Sequence, residues 1–234
     1  MTSRVQRSAF VVALVAGAAV ASADSTITAG YSFSFPQGIA TTSFFAGPTV
    51  EEVARFNGQR LDLPPGPGTD TRVPEFFTAF CVEVDTFILN PSVHKVVTLA
   101  GSTTDVGGGG GSPAVFFDAL RTERVERLWG GFVSSVVDPN SSAAFQLALW
   151  ELCYDTDATL VGPGAYFVDA GQFQPGITDL AESWLAVVRS GAVLPRPSLV
   201  LLTAPGTQDV ITIPGPGAVS LLSLAGLAAF RRRR

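Results

Sequence analysis

Asp138-Pro139-Asn140-Ser141-Ser142-Ala143-Ala144-Phe145-Gln146-Leu147-Ala148-Leu149-Trp150-Glu151-Leu152-Cys153-Tyr154 is the stretch on which the fold class turns. From Ala144 onward it holds good helix formers and no breaker, and Ser141 or Ser142 can cap its start after Asp138-Pro139. A helix is therefore expected inside a chain whose composition otherwise favours extended structure. The 24 Gly, 16 Pro and 17 Phe, with many Val and Thr, suit short strands joined by turns. Two more helices flank this one. After Pro113, the residues Phe117, Leu120, Arg124, Leu128 and Trp129 recur at helical spacing and lead to Gly130-Gly131, which should stop the helix. Residues 177–189 form a third candidate, opened by Thr178 or Asp179 and closed by Ser190-Gly191.

Outside the helices the period changes to two. Tyr31, Phe33 and Phe35 fall on one face, with Ser32 and Ser34 on the other, and Pro36-Gln37-Gly38 should end that strand. A connector, Leu63-Pro64-Pro65-Gly66-Pro67-Gly68, precedes the run 76–89, whose Phe, Val, Thr and Ile content reads as a strand or two and contains Cys81. Residues 199–202 and 210–213 return to strand. Residues 107–111, all glycine, support neither period and read as a surface loop, and no Lys-Ser/Thr follows to make them a phosphate cradle. The expected class is α+β: a β-rich sandwich or barrel-like domain with about three inserted helices.

The two ends have their own grammar. Residues 1–23 read as a signal peptide, with Arg4 and Arg7 at the charged start, an apolar stretch over 9–20 and Ala21-Ser22-Ala23 as the cleavage site. An N-terminal membrane anchor is the alternative, although the apolar run is short for spanning. Residues 24–213 are then the exported domain. Residues 214–234 run from Pro214-Gly215-Pro216-Gly217 through a short apolar stretch, the expected C-terminal hydrophobic helix, to Arg231, Arg232, Arg233 and Arg234, a charge placement that fits the positive-inside rule. This tail resembles the PEP-CTERM sorting tail, with Pro214-Gly215-Pro216 in place of Pro-Glu-Pro. The resemblance implies delivery to the cell envelope or an extracellular matrix, with membrane and exosortase as partners; a plain C-terminal anchor meets the same physical demands. Between the two ends, 9 basic residues face 20 acidic ones, a net charge of −11. So acidic a body lacks the basic surface that nucleic acid requires.

The chemistry rests on two segments, Phe80-Cys81-Val82-Glu83-Val84-Asp85 and Ala144-Phe145-Gln146-Leu147-Ala148-Leu149-Trp150-Glu151-Leu152. Together they resemble the thioester domains of bacterial surface proteins, in which a Cys follows an aromatic residue on a strand and a Gln-x-Ala-apolar-Trp motif lies on a helix. By that resemblance Cys81 is the thioester cysteine, Gln146 its acyl donor, and Ala148 and Trp150 the supporting helix positions. The implied activity is adhesion: single-use covalent capture of an amine-bearing surface or matrix polymer, without turnover and without a cofactor. Such a bond needs sulfur and carboxamide carbon in contact, sheltered from water yet reachable by an amine. Trp150, one turn beyond Gln146, could wall it off; equally, Gln146 is a polar helix residue and Trp150 a core anchor.

Cys153 leaves a second possibility open. It lies seven residues after Gln146, about two turns on, so both project from nearly one face. A Cys81–Cys153 disulfide in an exported chain would make the protein a structural surface component instead, and two free thiols are the third alternative. His94, the single histidine, reads as a surface residue in a turn entering a strand rather than as a base for Cys81. Asp155 and Asp157, with Asp138, lack the alternating oxygen-ligand pattern of a calcium loop and read as helix-end solvation, and two Cys with one His make no zinc cluster. No metal site is expected, and no acid, base and nucleophile set of a hydrolase can be assembled.

Overall fold

Among the described residues, extended β-branched and aromatic segments make up seven strands, and the longest of them is the one that closes the sheet. The computed structural model describes residues 25–43, 47–84, 86–105, 113–160, 166–167 and 176–215. The signal-peptide segment, the 107–111 glycine loop and the tail from Pro216 through Arg231, Arg232, Arg233 and Arg234 lie outside them. The strands are β1 (Thr26–Ser43), β2 (Gly47–Arg60), β3 (Phe76–Cys81), β4 (Ser92–Thr98), β5 (Tyr166–Phe167), β6 (Val200–Thr203) and β7 (Val210–Thr212). The helices are α1 (Ala119–Phe132), continued by a 3-10 turn (Val133–Ser135), α2 (Pro139–Tyr154) and α3 (Ile177–Arg189). β1 pairs with β2 on one side and β4 on the other, so the order β1-β2-β3-β7-β6-β4 returns to β1 as a six-stranded antiparallel barrel. β5 adds to the far end of β1, Thr42 opposite Phe167. The fold is α+β as expected, and of the two β architectures it is the barrel, in which each of the six strands has a neighbour on both sides while the far parts of β1 and β2 run on as a two-stranded ribbon.

Period-two alternation then sorts the side chains. Ile27, Ala29 and Tyr31 of β1 meet Phe56, Phe77, Ala79, Val96, Val200, Leu202 and Val210 inside the barrel. The opposite face of the same sheet sends Phe80, Leu201 and Ile211 outward, under the three helices, into a second and larger core. Phe80 anchors that layer: its ring lies 4.5 Å from Phe145 of α2 and 5.6 Å, edge-on, from Trp129 of α1. Cys81, at the end of β3, packs against both cores.

Several expected boundaries move, each for a local reason. β1 runs through Pro36-Gln37-Gly38, because a bulge between Ser34 and Gln37 absorbs the proline without ending the ladder. Phe33 shares the alternation with Tyr31 yet is 56 % exposed, while Tyr31 is buried. α1 passes through Gly130-Gly131: a Cβ on Gly130 would stand 2.0 Å from the Pro195 carbonyl oxygen, so glycine is there for close approach and not as a stop. α2 starts earlier than a Ser141 or Ser142 cap implies. Asp138 is the N-cap and Pro139 the first helical residue, with Ser141 completing the reciprocal capping box. α3 is entered from Gly176 at φ 97° with no side-chain cap, in place of Thr178 or Asp179. The ladder of the run 76–89 stops at Cys81, and Phe87 and Leu89 beyond it are exposed. Among the described residues no helix is long and apolar enough to cross a membrane.

Candidate functional site

Antiparallel pairing of β3 with β7, Cys81 opposite Val210, brings Cys81 to the point where the sheet meets α2. The burial of α2 explains why the helix lies so close. From Ser141 to Cys153 its residues are buried on every side, against the sheet, α1 and α3. A polar residue in that environment must find its partners inside the protein. Gln146, 0 % exposed, finds both at Cys81: its Oε1 accepts from the Cys81 N–H at 3.1 Å and its Nε2 donates to the Cys81 carbonyl at 2.8 Å. The carboxamide carbon is thus clamped over the backbone of the residue that carries the sulfur. Cys81 itself is half-buried.

The remaining residues of the expected motif take different positions. Ala148 is fully buried in the helical core. Trp150 is buried too, with its ring 6.1 Å from Tyr166 of β5, edge-on, so it anchors β5 to the helix. Cys153 lies in the helical core alone, its thiol pushed up by burial, and among the described residues neither cysteine is joined in a disulfide. Pro214 and Gly215 close the described chain, with the Gly215 N–H donating to the Arg72 carbonyl at 2.5 Å.

The chain that leaves Cys81 is held by a second polar cluster that sequence reading did not connect. Glu83 and Asp209, both buried, meet through the Asp209 N–H, which donates to Glu83 Oε2 at 2.9 Å, while Gln208 Nε2 donates to the Glu83 carbonyl at 2.8 Å. The Asp209 carboxylate accepts from the Ala204 and Asp105 N–H groups. Burial and the neighbouring Glu83 push its carboxyl up to about 7. Inside the barrel, His94 is fully buried, contrary to the surface position expected for it. Its Nε2 lies 3.0 Å from the Tyr31 hydroxyl and 2.7 Å from the Ser92 hydroxyl, and burial lowers its imidazole to about 4. A histidine so lowered is neutral in the folded protein at physiological pH.

At the C-terminal end of α2 a third cluster forms. One oxygen each of Glu151, Asp155 and Asp157 lies within 4.8 Å of the others. Asp138 is not among them, since it caps the opposite end of the helix. Glu151 is 0 % exposed, and its Oε1 accepts from the Thr159 N–H at 3.0 Å. Burial, then contact with Asp157 and the charge of Asp155, push its carboxyl up to about 9. The signal for this cluster was in the sequence as an acidic residue inside an apolar helix, four positions before Asp155. No protein-family model, curated protein or solved structure matches this chain.

Proposed function

We propose that this is an exported envelope or matrix protein that binds a target covalently, by amine capture at a thioester formed between Cys81 and Gln146. The observation that carries the reading is the two-point clamp of the Gln146 carboxamide on the Cys81 backbone. Thioester formation begins with the Cys81 thiolate adding to the Gln146 carboxamide carbon. Charge then develops on Oε1, the atom to which the Cys81 N–H already donates, so the donor stands where an oxyanion needs it. Nε2 takes up a proton and leaves as ammonia, giving the thioester. A primary amine of the target attacks the same carbon, Cys81 sulfur is expelled as the thiol, and an amide joins Gln146 to the target. Each chain reacts once, so no turnover follows.

Shelter and access are both supported. Gln146 has no exposure to water that would hydrolyse the acyl group, while the half-buried Cys81 leaves an approach from the β3 side. Envelope delivery rests on the signal-like start and the Pro214-Gly215-Pro216 to Arg234 tail, with the membrane and an exosortase as the partners those segments imply.

The test is the intact mass of the exported body, purified without reductant, before and after methylamine. The expected species is lighter than the sequence mass by one ammonia, gains one methylamine, and loses both properties in Cys81→Ala. A body of unaltered mass that ignores methylamine would overturn the reading. A body lighter by two hydrogens and restored by reductant would establish the Cys81–Cys153 disulfide and a structural role.

A further inference from the structure

Beyond the Cys81 and Gln146 site, and independently of it, we infer that Glu151, Asp155 and Asp157 form a calcium site that fastens the C-terminal end of α2 to the loop following it. Three carboxylates close together are common on protein surfaces and alone say little. Here one of the three is different. Glu151 is fully buried, its Oε1 is used by the Thr159 N–H, and its Oε2 is shut away from water with no amide, hydroxyl or cationic group donating to it. An oxygen of Asp157 lies within 4.8 Å of an oxygen of this carboxyl. Among the described residues neither Glu151 nor Asp157 is in an ion pair with Arg or Lys. A buried carboxylate in that position must either keep a proton or receive a cation.

The surrounding basic groups point elsewhere. Arg121 Nε donates to the Cys153 carbonyl at 3.1 Å, Arg124 to the Thr156 carbonyl, and Arg189 to the Ala158 carbonyl while pairing with Glu182. They satisfy the backbone of the loop and pair with neither Glu151 nor Asp157, while Asp155 Oδ2 accepts from the Tyr166 N–H at 2.6 Å. The end of a helix also presents its partial negative charge here, which favours a cation.

Ligand type selects the ion. Hard oxygen donors suit calcium, which binds them at about 2.3–2.6 Å in flexible arrangements. The three carboxylate oxygens lie within 4.8 Å of one another, near enough for one ion to reach all of them. Magnesium, at about 2.1 Å with rigid octahedral demands, draws its ligands closer and keeps more of its own water. Asp157 is exposed, so exchange with solvent is open and water completes the ligand shell.

The experiment is a thermal melt and a calorimetric titration of the exported chain, stripped with chelator and then given calcium chloride. The expected result is one calcium per chain. At about a hundredfold its Kd, calcium should raise Tm by about 5–10 °C. Asp157→Asn, an exposed change that leaves the core intact, should weaken calcium binding at least tenfold, and Glu151→Gln should abolish it. Absence of calcium binding at millimolar concentration would overturn the inference. So would an Asp157→Asn variant that binds as the parent does, or a chain stabilised by acid alone with no response to calcium, which would mean that a shared proton suffices.

Discussion

Two polar side chains five residues apart on α2 are both withdrawn from water, and they are treated in opposite ways. Gln146, in the middle of the helix, has each end of its carboxamide matched to a backbone group of Cys81. Glu151, near the end, has one oxygen matched and the other without a donor, in a cluster with two further acids. Neutral donors and acceptors can be balanced by the chain itself, because every residue brings one of each. Surplus negative charge in a buried place can be balanced only by a proton or a cation. Position on the helix decides which problem arises: the middle lies over the sheet and its backbone, the end over a loop rich in aspartate.

The sharpest way to break this contrast is Gln146→Ala. It strands the Cys81 N–H and carbonyl and opens a void, and it should cost about 3–5 kcal/mol in urea unfolding. A loss below about 1 kcal/mol would mean that water replaces the carboxamide and that the clamp is incidental. Next in size is the pH dependence in chelator. The Glu151 carboxyl is raised to about 9 in the fold against an ordinary 4.5, so the unfolded chain gives up its proton first and stability falls as pH rises between those values. Asp209, raised to about 7, contributes a decline that is complete near there, which leaves pH 7–9 to Glu151. Glu151→Gln should flatten that upper window and melt a few degrees above the parent at its alkaline end; an unchanged slope would put the charge elsewhere. His94 runs the other way. Lowered from 6.5 to about 4, it takes up a proton on unfolding, so stability falls as pH drops through that interval, and His94→Gln should remove that acid limb from a melt series.

Smaller effects test the helix ends. Asp138→Ala removes the acceptor for the Ser141 N–H and half of the capping box, and should lower Tm by a few degrees while leaving calcium affinity unaltered. Asp157→Asn without divalent cation should leave Tm within about 2 °C of the parent, since an exposed polar exchange touches no core contact.

Much of this was legible in sequence. The three helices were legible from their helix formers and spacing, and the resemblance named Cys81 and Gln146, whose carboxamide hydrogen-bonds the Cys81 backbone. The boundaries were less readable because tertiary contact overrides local rules. Gly130 looks like a stop until the Pro195 carbonyl is seen pressed against it, and Pro36 looks like a terminator until the bulge appears. β2 gave no clear alternation of its own, although it pairs with β1 as a sequence-adjacent hairpin, Ser43 opposite Gly47. His94 was misplaced because one strand residue in two faces inward, and local sequence does not tell which face the barrel will enclose. Glu151 was passed over for the opposite reason: its burial comes from α2 being covered all round, a fact of packing that helical periodicity does not register.

The placement of β7 has a mechanical meaning. The described chain ends just past Thr212, and β7 is paired with β3 at Ala79, Phe80 and Cys81. For a protein tethered by its C-terminal end and joined to its target through the Gln146 side chain, tension would enter at Thr212 of β7 and leave through α2. The load would cross from the sheet to the helix through the layer where Phe80 and Ile211 pack against Phe145 and its neighbours. Tether and grip are thus separated by one sheet-to-helix interface, and most of the barrel would lie outside the line of pull.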